Sequence, residues 1–190
     1  MKNFEFILSL DPSGAFNEGK GCTGWCVMEC KADKITKSGN INAKDYEQME
    51  SYWQAHTTLI SNFRKKYKKR MIVVIEDYLL YGDKARNQIN SRMETSKLIG
   101  VLQFFCFSHH IPYYMQTAGQ VKNRWKDSIL QHKGYLKISK NKLTLPTGDI
   151  ADRHCKDAVR HAVHYNTFKN KKEDFNDNTY SRQWPEARIQ

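Results

Sequence analysis

Acidic residues are in short supply. The chain of 190 residues carries 20 Asp and Glu against 31 Lys and Arg, a formal net charge of +11. Such a balance points to an anionic polymer or a membrane surface as partner and says nothing about fold. No apolar run reaches about 18 residues, which excludes a membrane-spanning helix. The first residues, Met1-Lys-Asn-Phe-Glu5, lack a long apolar stretch, so no signal peptide is expected. The five cysteines (22, 26, 30, 106 and 155) contain no CxxC pair and are odd in number. Reduced cytosolic thiols are therefore expected, not a disulfide frame. Cys22, Cys26 and Cys30, four apart, leave a zinc site open, but small buried hydrophobes are the favoured reading. There is no internal repeat and no linker. A hydrophobic content of 39% with 12% aromatics is enough for one buried core.

What is present has the punctuation of an α/β domain. Residues 4–10 are a short apolar run broken by Asp11-Pro-Ser-Gly14. Residues 21–30 and 35–41 read as second and third strands, close enough together for an antiparallel meander. Residues 45–69 have helical periodicity. Met71-Ile-Val-Val-Ile75 is apolar throughout, as in a strand covered on both faces. A long helix is expected over 84–107, with Met93, Leu98, Val101, Leu102 and Phe105 inward and Gly100 permitting a close approach. Ile111–Met115 is a short strand. Thr117 caps a helix expected to run from about 118 to 132, with Gly134 as its stop. Residues 135–148 form a lysine-bearing loop or hairpin, and a last helix runs from 148–149 to about 165. The order β-β-β-α-β-α-β-α-α gives a mixed sheet flanked by helices. The domain is placed at 1–167, followed by a loose polar tail at 168–190.

Two of these strands end in acid: Asp11 after the first, Glu76 after the fourth. The last helix carries His154-Cys-Lys-Asp157, and a spacing of three puts His154 and Asp157 on one face. Neighbouring strands would bring Asp11 and Glu76 together. Clustered carboxylates repel, and a fold keeps them chiefly when a cation neutralises them. Oxygen ligands select hard ions such as Mg²⁺ or Mn²⁺. Two such ions, about 4 Å apart, activate water and stabilise a leaving oxygen in phosphodiester cleavage. Each residue alone has a plainer explanation. Asp11 suits a turn, Glu76 an exposed strand end, and His154 a helix surface. Asp157 suits an ion pair with Lys156 or Arg160. Ala151, Cys155, Ala158 and Ala162 make the helix a closely packed one. Asp149 and Asp152 read as first-turn acids favoured by the helix dipole.

Together these motifs resemble the RuvC family of Holliday-junction resolvases, and particularly its phage-type members. The resemblance spans most of residues 4–166. It is carried by Leu8-Ser-Leu-Asp-Pro-Ser-Gly14 with Thr23-Gly-Trp25, by Val73-Val-Ile-Glu-Asp77 and by His154-Cys-Lys-Asp-Ala158. It implies an RNase H-like five-stranded mixed sheet, a three-strand antiparallel meander plus parallel strands. It also implies Asp11, Glu76, His154 and Asp157 as the catalytic and metal-holding set, with two Mg²⁺ for which Mn²⁺ substitutes. The implied protein is a homodimer nicking opposed strands of a four-way DNA junction in a bacterial or phage-infected cytoplasm. No membrane partner and no small-molecule cofactor is expected.

Basic residues cluster twice. Residues 64–70 hold six cations and no acid, and read as a solvated helix end. Residues 122–142 hold Lys122, Arg124, Lys126, Lys133, Lys137, Lys140 and Lys142 against Asp127 alone. These, Lys133 apart, are the expected phosphate contacts, together with Lys84. Tyr78 and Tyr81 follow Glu76 and are candidates for stacking on an unpaired base. Both also suit a sheet edge. Two other classes compete: an inert junction-binding protein and an RNA-directed nuclease.

Overall fold

The computed structural model describes residues 3–78, 92–139, 142–148 and 150–170. Strands β1 (Phe6–Asp11), β2 (Cys22–Glu29) and β3 (Lys34–Asn42) form the antiparallel meander. β4 (Met71–Asp77) and β5 (Tyr113–Thr117) run parallel to β1, and the sheet order is β3-β2-β1-β4-β5. The five-stranded mixed sheet expected from the sequence is the observed one.

Strand alternation divides the core in two. Ile7, Ile72 and Val74 pack with Ala158, Val159 and Ala162 of α5 (Arg153–Tyr165). Leu8, Leu10, Val73 and Ile75 pack on the opposite face, against α1 (Met49–Tyr67) and α2 (Glu94–Ser108). This two-sided burial is why 71–75 reads as an unbroken apolar run. The small-residue stripe of α5 lets the helix lie close on β2, where a side chain at Gly24 would collide with the backbone of His154 and Cys155.

Several expectations need correction. The single helix at 118–132 is two, α3 (Ala118–Val121) and α4 (Asp127–His132). The intervening residues are tied to α5 instead: Trp125 is buried, and its carbonyl accepts from Arg160 Nε at 2.8 Å. Thr117 does sit at the head of α3, its N–H donating to Gln120 Oε1 at 3.2 Å. Met93 is not inward. It sits at φ 51° and is 38% exposed just before α2. A Cβ at Gly100 would meet nothing within 4 Å, so the expected close approach belongs to Gly24 and not to Gly100. Asp152 caps α5 from outside, accepting from Cys155 N at 2.7 Å, and is not a first-turn acid. Residues 84–91, Asp149 and 171–190 lie outside the described residues. Residues 135–148 contain the hairpin β6 (Lys137–Ser139) and β7 (Lys142–Thr144). Phe168 to Asn170 are not loose. They belong to a π-helical turn, and the Asn170 side chain meets both backbone groups of Phe4 at 2.8 Å.

Candidate active site

Leu10 of β1 faces Ile75 of β4 in register, so the next residues, Asp11 and Glu76, end side by side. Asp11 shares the face of Ile7, and Glu76 that of Val74, because side chains alternate with period two. Both therefore look at α5. Glu76 pairs in turn with Gln116 of β5. The helix crosses this row and answers it with a stripe at i, i+3 and i+7: His154, Asp157 and His161. His154 Nδ1 lies 2.7 Å from Asp11 Oδ2. His161 Nε2 lies 3.0 Å from Glu76 Oε2 and its Nδ1 2.9 Å from Gln116 Oε1. Asp157 stands between them.

Carboxylate oxygens of Asp11, Glu76 and Asp157 all lie within 4.8 Å of one another. Among the described residues this is the acid, histidine and cysteine group compact enough to hold a metal ion. His154 is not within that compact set and reaches it through Asp11. The cysteines at 22, 26 and 30 do not converge; Cys26 and Cys30 are buried thiols of the core.

Internal cations meet part of this charge. Lys122 Nζ lies 3.0 Å from Glu76 Oε1 and 2.9 Å from Asp157 Oδ2. Arg160 pairs with both Asp157 and Asp127, and Lys156 holds Asp127 at 2.8 Å. The protonation behaviour follows the geometry. Burial raises Asp11 from 3.8 to about 6, with Glu76 adding repulsion and His154 opposing. Burial would also raise Glu76, but the hydrogen bond from His161 and the ammonium of Lys122 bring it down to about 2. The Asp11 hydrogen bond raises His154.

A buried polar chain fixes the loop that leaves Asp11. His56 donates from Nδ1 to Tyr52 O at 2.7 Å, and its Nε2 lies 2.8 Å from Thr23 Oγ1. Thr23 Oγ1 accepts from Ser13 N at 3.1 Å, and the Tyr52 hydroxyl donates to Ser13 O at 2.7 Å. Burial holds His56 neutral, its pKa down at about 4.

The predicted nucleic-acid contacts fall in three groups. Arg124, Lys126, Lys137 and Lys142 are exposed, and Tyr78 is 37% exposed. Lys122 instead turns inward onto the acids. Tyr81, Lys84 and Lys140 lie outside the described residues. Sequence reasoning missed His161 and Gln116, whereas the ion pair of Asp157 with Arg160 was among the plainer readings and is present. For His161 the signal was there: it continues the helical stripe begun by His154 and Asp157.

Fold and acid row together define the class: an α/β domain on a five-stranded mixed sheet with a carboxylate cluster at its strand ends. Among solved structures the chain is similar to "T. thermophilus RuvC in complex with Holliday junction substrate", with TM-score 0.59 and 13% sequence identity. The match covers 87% of this chain and 96% of that one. No protein-family model and no curated protein matches the chain.

Proposed function

We propose that the protein is a Mg²⁺-dependent, structure-selective endonuclease that resolves four-way DNA junctions by nicking opposed strands. The observation that carries the reading is the convergence of Asp11, Glu76 and Asp157, three largely buried carboxylates, on one point at the strand ends of a RuvC-type sheet. The donor set is all oxygen, the chemistry of a hard divalent ion, so Asp11, Glu76 and Asp157 would hold Mg²⁺ or Mn²⁺. Bound there, such ions would supply Lewis acidity and lower the pKa of a bound water. The chain's own groups do the rest. His154 orients Asp11 Oδ2. His161, held by Gln116, orients Glu76 Oε2. Exposed Arg124, Lys126, Lys137 and Lys142 supply positive charge for the phosphate backbone. Two opposed nicks call for two sites, hence a homodimer.

One observation favours a second reading. Lys122 lies where it neutralises Glu76 and Asp157 without any metal, which suits a protein that binds junctions and does not cut them. The test is a synthetic four-way junction with Mg²⁺, incubated with the protein and with Asp157→Asn and resolved on a denaturing gel. Paired symmetric nicks, absent in the variant, are expected. A retarded, uncut junction would establish the binding protein instead, and cleavage of an RNA–DNA hybrid in preference to the junction would overturn both.

A further inference from the structure

Beside the acid row, past the edge strand β5, lies a cleft of about 420 Å³ whose lining includes Tyr114, Gln116 and Arg124 from one side and His164 and Phe168 from the other. Its size is that of a small-ligand pocket. Among the described residues no carboxylate lines it. Its polar groups present hydrogens. Gln116 is 1% exposed, and its Nε2 is buried with no hydrogen-bond partner among the described residues, its Oε1 being taken by His161. Native structures seldom leave such a donor unmet, so this one wants an acceptor that the described residues do not supply. Gln120 spends its Oε1 on Thr117 N, which leaves its amide N–H groups. His164 accepts the Trp125 indole at Nδ1, 3.3 Å away. Burial holds that ring neutral, near 4, so the hydrogen sits on Nε2.

Two cations and two rings complete the lining. The Arg124 guanidinium lies 4.6 Å from the Phe168 ring centroid, and Lys169 Nζ lies 6.0 Å from that of Tyr114. Hydrogen-bond donors beside the Arg124 guanidinium select an anion with acceptor oxygens. Aromatic faces beside them select a flat ring. A nucleotide has both.

We propose that this cleft is a nucleotide subsite that takes one phosphate-and-base unit of the substrate strand beside the scissile bond. The proposal rests on the nuclease reading for its source of nucleotide. A phosphate oxygen meets Arg124 and the orphan amide of Gln116, and the base lies against Phe168 or Tyr114. The subsite is wired to the acid row, because the Gln116 amide is two hydrogen bonds from Glu76, through His161. An occupant of the cleft therefore orders the residue that orients Glu76, and Gln116 is a positioning residue.

The probe is a 5′-phosphorylated thymidine dinucleotide, titrated without metal into the full-length ¹⁵N-labelled protein while the Gln116 and Arg124 side-chain signals are followed. Saturable shifts of both are expected. Asp157→Asn should bind the dinucleotide as the unaltered protein does, and Arg124→Gln about tenfold more weakly, the worth of one charged hydrogen bond. Uncut junction DNA should displace the dinucleotide. Unmoved signals, or equal affinity in Arg124→Gln, would overturn the subsite. Junction and dinucleotide bound together would overturn its assignment to the substrate strand. Failure of the nuclease reading looks different: the dinucleotide binds, yet no branched DNA is cut. Junctions cut normally with no dinucleotide bound would sink the subsite alone.

Discussion

Asp11 and Glu76 end neighbouring strands one residue past a shared register pair, yet the protein treats them in opposite ways. Glu76 receives His161 on one oxygen and Lys122 on the other, and is held at about 2. Asp11 has His154 as its hydrogen-bonding partner and is left at about 6, because burial and the charge of Glu76 outweigh that bond. The acid row is neutralised from the Glu76 side and left short of positive charge at Asp11. The difference locates where an added cation gains most. It also predicts that the two acids, alike in the cluster, differ in what each contributes to stability.

Activity should be the most sensitive to breaking either end. Asp11→Asn and Glu76→Gln should each lower junction cleavage by about a thousandfold or more, the several kcal/mol supplied through metal-held oxygens. Single-turnover rates on a labelled junction would check this.

Stability should then split the two variants by sign. Glu76→Gln strands Lys122 and His161 and should cost about 3 kcal/mol, as removing one partner of a buried pair does. Asp11→Asn should stabilise. A carboxyl held at about 6, not 3.8, disfavours the folded state at pH 7.5 by up to about 3 kcal/mol. Urea midpoints moving in the same direction for both would break the comparison.

Acid sharpens it further. The raised pKa of Asp11 means that its contribution to stability is complete below 3.8 and is lost as pH rises through about 6. His56 runs the other way. Its pKa is lowered from 6.5 to about 4, so its contribution is present above 6.5 and lost as pH falls towards 4. Each is worth about 3 kcal/mol, and in the wild-type protein they offset one another across this window. Asp11→Asn should expose the His56 decline as a steep loss of stability between pH 6.5 and 4, measurable by urea unfolding. An equally flat profile in the variant would remove His56 from the account.

The smallest effect is thermal. Millimolar Mg²⁺ should raise the melting midpoint of the wild-type protein by a few degrees, about 2–4 °C per kcal/mol of binding. It should raise that of Asp11→Asn hardly at all.

The parts of the site that were legible in the sequence are those set by local pattern. Strand-end acids and an i, i+3 pair on a helix need only periodicity to be seen, and the sheet follows from the meander and the two later strands. What was not legible depends on who meets whom. Lys122 belongs to a basic run and looks like a phosphate contact, but only tertiary placement shows it between Glu76 and Asp157. The helix expected over 118–132 breaks because Trp125 and Asp127 are claimed by Arg160 and Lys156, an override of local propensity by long-range bonds. His161 was within reach of the same spacing rule that found Asp157, one turn further on. Gln116 carried no signal of its own, since a glutamine in a short strand has none. The glycine that matters sterically was Gly24, in a motif already noted, and not Gly100, whose cost to its helix drew attention.

We infer that the three carboxylates form a divalent-ion site which internal cations satisfy on one side only. It is tested most directly by titrating Mn²⁺ into the protein, into Asp11→Asn and into Asp157→Asn, with free Mn²⁺ read by electron paramagnetic resonance. Saturable Mn²⁺ binding that is lost in both variants is the result expected. Binding that persists unchanged in both, or no binding by the wild-type protein at millimolar Mn²⁺ with junction DNA present, would contradict it and leave Lys122 and Arg160 as the cations that neutralise the row.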